Sequence, residues 1–316
     1  MLVRRSLAAV ISAGALLLAA GCAGDDLSSD EASDPTSSAG ADKGSVTIAG
    51  QNFPEATLVA SMYQQLLENE GYTVETKLVD SRDAYMPTFP GSVDIVPEYV
   101  GGIVNFLNTQ ENGGDAEPLE TGDGAQLAED GADLLEAAGI TLLDTSPATD
   151  TNAFFVTAEY SEAEGVTTLS DLEGKSVTLA AAPDCEGRLD CEGGLSEEYG
   201  IEITEVLPLG YASDQTYQSV LDGESELGET STTDGTLESQ GLVVLEDDKQ
   251  IQPAQNLVPA VSSEWIADNP DVEGVLNDLM AALTTEKLTE LNGRIAVDRE
   301  KPEDVAADFL AEVGLL

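Results

Sequence analysis

The chain of 316 residues contains no histidine. That absence excludes Ser-His-Asp and Cys-His nucleophile systems and the common metal-histidine hydrolases. Only carboxylate, lysine or tyrosine chemistry is left. No P-loop pattern and no G-x-G-x-x-G run occurs, so no glycine loop for a phosphate is signalled. Basic residues are scarce: Lys plus Arg number 12 against 61 Asp plus Glu, a formal net charge of −49. Such a surface repels nucleic acid and anionic lipid headgroups. It stays soluble where salt screens its self-repulsion, which points to a salty or osmotically stressful habitat. A merely acidic exported protein is the alternative. Long apolar runs are also lacking. The longest, Leu7 to Ala20, is shorter than the ~20 residues of a spanning helix.

That run follows Arg4-Arg5 and ends at Gly21-Cys22, which describes a secretory signal over residues 1–21. Cysteine directly after Ala-Ala-Gly resembles the lipobox of bacterial lipoproteins, in which the cysteine sulfur receives lipid. A plain secreted protein with a stray cysteine at the cut site is the alternative; Ala19 stands where the lipobox has Leu. Residues 22–44, rich in Asp, Ser, Ala and Gly, bury almost nothing and read as a flexible acidic linker. The globular part, Ser45 to Leu316, exceeds one ordinary domain, so two lobes are expected. Cys185 and Cys191 lie close together in sequence, and an exported chain meets oxidising conditions, so a local disulfide is the first expectation. A zinc site is the alternative, but it lacks further partners.

Ser45 to Ala49 alternates as a strand, Pro54 opens a helix running to about Glu70, and Thr73 to Val79 is a second strand. This β-α-β start predicts a parallel sheet. Further strands are expected into Pro97, at Thr141 to Leu143, Ser176 to Ala180, Glu202 to Val206, Glu226 to Glu229 and Leu242 to Leu245. Helices are expected over residues 83–89, 102–108, 125–138, 195–199 and 215–221. Ala148 to Thr157 and Gln252 to Val261 read as crossings between lobes, which divides the chain into lobe 1 (45–150 plus 258–316) and lobe 2 (151–257). Asp94-Ile-Val-Pro-Glu-Tyr-Val-Gly-Gly102 puts an acid, an aromatic ring and two glycines at a strand end. In open α/β sheets, ligands sit beyond such ends, and a ring with a carboxylate attracts a small cation. A surface turn with a half-buried tyrosine is the alternative.

Eight short motifs stand in one order: Gly50-Gln-Asn-Phe-Pro-Glu55, Asp94-Ile-Val-Pro-Glu-Tyr99, Thr151-Asn-Ala-Phe-Phe-Val156, Pro183-Asp-Cys-Glu-Gly-Arg188, Tyr217 with Leu221-Asp-Gly223, Thr232-Thr-Asp-Gly235, Leu245-Glu-Asp-Asp-Lys249 and Asn256-Leu-Val-Pro259. In this order the chain resembles the substrate-binding proteins of ABC importers for glycine betaine, choline, carnitine and related osmoprotectants, over about Ser45 to Leu316. The two-cysteine loop looks like a version common in actinobacterial members. The resemblance implies an α/β, two-lobed type II binding-protein fold, each lobe a mainly parallel sheet flanked by helices, with hinge strands between them. It implies a receptor rather than an enzyme, without cofactor or metal. The implied partners are a quaternary amine, a permease and its ATPase. A monomer held by lipid at Cys22 on the extracytoplasmic face of the cell membrane completes the expectation.

A quaternary ammonium has no N–H donor, so aromatic faces hold it, at ~0.5–2 kcal/mol per contact. The resemblance places Tyr99 and Tyr217 at two cage positions. Asn152 falls where the family has a third tyrosine, with Phe154 nearby, and Gln51 falls where it has a lysine. Arg188 matches an arginine that grips a carboxylate; pairing with Asp184 or Asp190 on the surface is its alternative. Thr233 and Asp234 are ligand candidates, though Asp234 as a helix N-cap explains it equally. Asn52 either holds ligand or caps the Pro54 helix, and Glu98 is the cleft acid. Two other readings stay open: the same fold as receptor or sensor for another cation or amino acid, and an exported carboxylate-dependent hydrolase using Asp94 and Glu98 as a pair.

Overall fold

A computed structural model describes residues 43–114, 116–119 and 122–316. The expected signal, the expected lipidation site Cys22 and nearly all of the expected linker lie outside the described residues. Lys43, counted above with the linker, is held on the folded part by Glu70 (2.8 Å) and Asp271 (2.7 Å).

The first half begins β1 (Ser45–Gln51), α1 (Pro54–Asn69), β2 (Thr73–Val79), α2 (Arg82–Tyr85), β3 (Ile95–Tyr99), α3 (Val100–Asn112), α4 (Gly124–Asp130), α5 (Ala132–Ala138) and β4 (Ile140–Leu142). Ala56, Leu58, Val59, Met62, Tyr63, Leu66 and Leu67 recur at helical spacing, so α1 buries one face against the sheet. The helix expected over 125–138 is two, because the chain breaks at Gly131. A Cβ there would meet Val104 at 2.7 Å, so only glycine lets α3 approach so closely. α3 itself starts two residues before the expected Gly102.

The second half is β5 (Asn152–Thr157), α6 (Ala158–Glu164), β6 (Ser176–Ala181), α7 (Glu192–Glu197), β7 (Glu202–Pro208), α8 (Asp214–Leu221), β8 (Leu227–Ser231), α9 (Leu237–Gln240) and β9 (Leu242–Leu245). α6 has no counterpart in the sequence reading, since its Glu-rich turn carries no apolar stripe. The chain then returns through β10 (Leu257–Ser262) into α10 (Ser263–Asp268), α11 (Asp271–Ala282), α12 (Thr285–Ala296) and α13 (Pro302–Glu312).

Two five-stranded sheets result, ordered β2-β1-β3-β10-β4 and β7-β6-β8-β5-β9. Strands β1, β2 and β3 are parallel, as are β6, β7 and β8, whereas the crossing strands β10 and β5 enter antiparallel to their neighbours. Each sheet is therefore mixed, with the antiparallel member supplied by the strand that arrives from the other half. The two crossings pair with one another: Thr149 bridges Asn256, and the Asp150 N–H donates to the Gln255 carbonyl (3.1 Å). This is the two-lobed type II arrangement with a pair of hinge strands. The Cys185–Cys191 disulfide forms, with both sulfurs buried in the lobe 2 core.

Candidate functional site

The carboxyl ends of the parallel strands of both sheets meet across the hinge, and chemistry-bearing residues collect there. From lobe 1, β3 ends in Tyr99, whose ring is 9% exposed and stacks on Phe53 (6.5 Å, 21°). Its hydroxyl donates to Glu55 Oε1. Glu55 lies in the first turn of α1, where the helix dipole favours an acid, yet it is 4% exposed. Its second oxygen accepts from Asn292 Nδ2 of α12 (2.6 Å), and the same amide donates to the Thr233 carbonyl of lobe 2 (3.0 Å). Asn292 Oδ1 is buried without a partner.

From the hinge comes Asp150, which accepts from the Ser231 hydroxyl at the end of β8. Ser231 also shares a hydrogen bond with Thr233 Oγ1 (3.0 Å). Glu55 is pushed up to about 7, first by burial and then by the charge of Asp150. Asp150 is raised too, by burial, against the hydrogen bonds of Ser231 and Thr233. Among the described residues, every hydrogen-bonding partner of the two acids is neutral: Tyr99, Asn292, Ser231 and Thr233. Buried carboxylates without a basic partner are costly and cluster where a site must accept charge.

Tyr211 completes the cluster, and sequence reasoning missed it. It follows β7 in a turn where Gly210 (φ 114°) and Ala212 (φ 45°) take left-handed backbone. For alanine that is a strained conformation, and it sets the ring 44% exposed. The Tyr211 hydroxyl lies near Ser231 and is raised first by burial and then by the charges of Asp150 and Glu229. The available signal was position: Leu-Gly-Tyr-Ala-Ser directly after a parallel strand. Glu55 and Asp150 were passed over because an acid in a first helical turn and an acid before a crossing both have ordinary explanations.

The candidates from the sequence distribute as follows. Tyr217 of α8 is 7% exposed and packs on Phe155 (5.5 Å) inside lobe 2, with its hydroxyl donating to Asp234 Oδ2 (2.6 Å). It reaches the cluster through Asp234, which adjoins Thr233, and it also acts on Tyr211. Thr233 is in the cluster. Asp234 is occupied by Tyr217, Thr230 and Thr236 and does not cap a helix: the N-cap is Thr236, whose N–H Asp234 accepts (2.9 Å). Asn52 is exposed and does not cap α1 either, since Phe53 is the N-cap without a side-chain bond. Gln51 closes β1, half-buried beside Val79. Asn152 donates to Asp190 (3.2 Å), and Arg188 is engaged by Asp190 (2.9 and 2.6 Å) and Asp184 (3.3 Å), the surface pairing given above as its alternative.

Glu98 is corrected as a cleft acid. It is fully buried, clamped by Arg82 Nε (2.7 Å) and NH2 (2.8 Å), and takes the Tyr85 hydroxyl and the Tyr99 N–H (3.0 Å). Alternation along β3 turns it away from the Tyr99 face. Asp94 lies ahead of the other end of the strand, accepting from the Thr47 N–H (2.7 Å). The two do not form an acid–base pair. A groove of about 1170 Å³ opens elsewhere, between the edge strand β9 and α12. Asn152 and Asp234 line it, whereas Tyr99, Tyr211, Glu55 and Asp150 do not.

A family profile described as the substrate binding domain of ABC-type glycine betaine transport systems matches residues 44–312. The glycine-betaine-binding protein of Pseudomonas aeruginosa is 29% identical over 281 residues, covering 85% of this chain and 88% of that protein. The glycine betaine-binding protein YehZ of Escherichia coli is 25% identical over 289 residues, covering 85% and 90%. A crystal structure of a glycine betaine/carnitine/choline ABC transporter superposes with TM-score 0.74 at 22% identity, over 85% of this chain and 99% of that one. Apo YehZ of Escherichia coli superposes with TM-score 0.70 at 24% identity, over 86% and 99%.

Proposed function

The chain belongs to the family of substrate-binding domains of ABC-type glycine betaine transport systems, and from that premise we propose that it captures a quaternary-amine osmoprotectant between its lobes. The observation that carries this is the cluster where the lobes meet: two carboxylates with only neutral partners, beside the rings of Tyr99 and Tyr211. Rings supply the contact that a nitrogen without N–H cannot make by hydrogen bonding, and the acids supply countercharge. Asn292 ties Glu55 of lobe 1 to Thr233 of lobe 2, so a ligand settling against Glu55 draws on the same bridge that holds the lobes together.

In this reading Tyr217 supports the site from lobe 2 through Asp234, and Thr233 lines it. Asn52, Gln51 and Asn152 stand at its margin, while Arg188 organises the disulfide loop through Asp190. The closed lobes are then presented to a permease served by an ATPase. The chain works as a monomer anchored by lipid at Cys22 outside the cell.

A thermal-shift panel of choline, glycine betaine, carnitine, proline and arginine tests the proposal. A quaternary amine at 100 times its Kd raises stability by ~2.7 kcal/mol. A shift with proline or arginine and none with any quaternary amine makes the chain an amino-acid receptor and sinks the reading.

A further inference from the structure

We propose that Glu55 and Asp150 act as one countercharge that makes the cleft prefer a cation without a carboxylate of its own, and that such a cation displaces a proton when it binds. The inference rests on the reading of the cleft as a quaternary-amine site and names the class of amine. Choline, a cation with a neutral hydroxyl, is its type, and glycine betaine, a zwitterion, is the contrast.

Glu55, at the start of α1, meets Tyr99 of β3, Asn292 of α12, Thr233 from the turn after β8, and the charge of Asp150. Asp150, on the hinge, meets Ser231 and Thr233 and feels the charge of Asp234. Tyr211 stands beside Asp150, and Tyr99 also feels Glu98, itself clamped by Arg82. All the charged groups that act on the pair are acidic. Arg188, the residue suited to a ligand carboxylate, spends its guanidinium on Asp190 and Asp184. A betaine carboxylate entering here meets like charge and no basic partner, whereas a plain cation meets two carboxylates. Two like acids that share the Thr233 side chain as a partner do not both ionise readily without a cation between them. Glu55 sits near 7 in the empty cleft, so part of the population holds a proton at neutral pH. A cation favours the ionised pair, and the proton leaves to solvent.

Linkage gives the size. With one proton lost from a group near 7, cation affinity falls about tenfold between about pH 8 and about pH 6. Calorimetric titration of the purified chain with choline chloride, repeated in phosphate and Tris at each pH, reads both affinity and protons released. The expected result is net proton release near neutral pH and the tenfold fall for choline. Glycine betaine is expected to bind at least tenfold more weakly than choline at the upper pH, with a flat or opposite trend. Glu55→Gln and Asp150→Asn each flatten the choline profile and narrow the gap between the two ligands, with thermal unfolding run alongside to confirm folding. Should either variant fail to fold, the proton count on the unaltered chain still decides. Choline binding with no proton released and no pH trend overturns the inference while leaving the quaternary-amine site standing. Tighter binding of glycine betaine than of choline at the upper pH overturns it too. Failure of every quaternary amine to bind removes both.

Discussion

Replacing Arg82 by methionine removes the partner of a fully buried carboxylate. Glu98 has 0% side-chain exposure and Arg82 21%, and the guanidinium grips the carboxylate with two bonds of 2.7 and 2.8 Å. The fit is tight: a Cβ on Gly102, in the first turn of α3, would lie 2.3 Å from the Arg82 guanidinium, so glycine there leaves room for the pair. Without Arg82, Glu98 keeps only the Tyr85 hydroxyl and the Tyr99 N–H. Breaking a buried pair from one side costs ~3–5 kcal/mol, because the remaining charge is left uncompensated. At ~2 °C per kcal/mol for a domain of this size, Tm should fall by roughly 6–10 °C. The double variant Arg82→Met with Glu98→Met leaves no orphaned charge and should recover at least ~2 kcal/mol of that loss. The assay is urea unfolding of the four proteins of the cycle, followed by circular dichroism. A single Arg82→Met costing under ~1 kcal/mol, or a double variant less stable than either single, refutes the reasoning. Because the Tyr99 N–H is bonded to Glu98, the single variant should also loosen the ring that the ligand is proposed to contact.

Glu55→Gln should remove a pH dependence of stability. The folded-state value of Glu55 is raised to about 7 from 4.5, so its contribution is fully present below 4.5 and is lost as pH rises through about 7. At about pH 8 the variant should therefore be more stable than the parent without ligand, by ~3 kcal/mol, in unfolding curves measured across pH. Tyr99→Ala and Tyr211→Ala should each weaken choline binding by about tenfold in calorimetry, ~1.4 kcal/mol apiece. Tyr217→Ala should match that loss of affinity but show it together with lower stability, since its ring packs on Phe155 in the core. Gly235→Ala should cost ~1–3 kcal/mol, because its Cβ would lie 2.2 Å from the Gly293 amide nitrogen and force the lobe 2 turn off α12; unchanged Tm would contradict that contact. A melting series in rising salt should show stabilisation toward molar concentrations if the charge of −49 is a salt adaptation.

The alternation of strands and helices was legible because each element carries its own periodicity, as in the apolar stripe of α1 and the Val-Ile-rich strands. The crossings were legible too, from extended apolar runs without a helix before them, and the hinge bridge forms at Thr149 and Asn256. The candidate site was legible only where a motif announced it. Tyr99 stood in a motif and lies in the cluster. Glu98 stood beside it, but its partner Arg82 is 16 residues away, and no local pattern tells which acid that arginine will bury. Arg188 carried a resemblance, yet Asp190, two residues on, occupies it. Tyr211, Glu55, Asp150 and Asn292 come from four separate segments, and only the folding of both sheets against the hinge gathers them.

In the proposed complex, rings and acids from both sides of the hinge enclose a permanently positive nitrogen. A crystal structure of the chain with choline tests it most directly. The account predicts the quaternary nitrogen within about 6 Å of the Tyr99 and Tyr211 ring centroids and beside the carboxylates of Glu55 and Asp150. Density for choline in the groove between β9 and α12, or at the disulfide loop with that cluster empty, would contradict it.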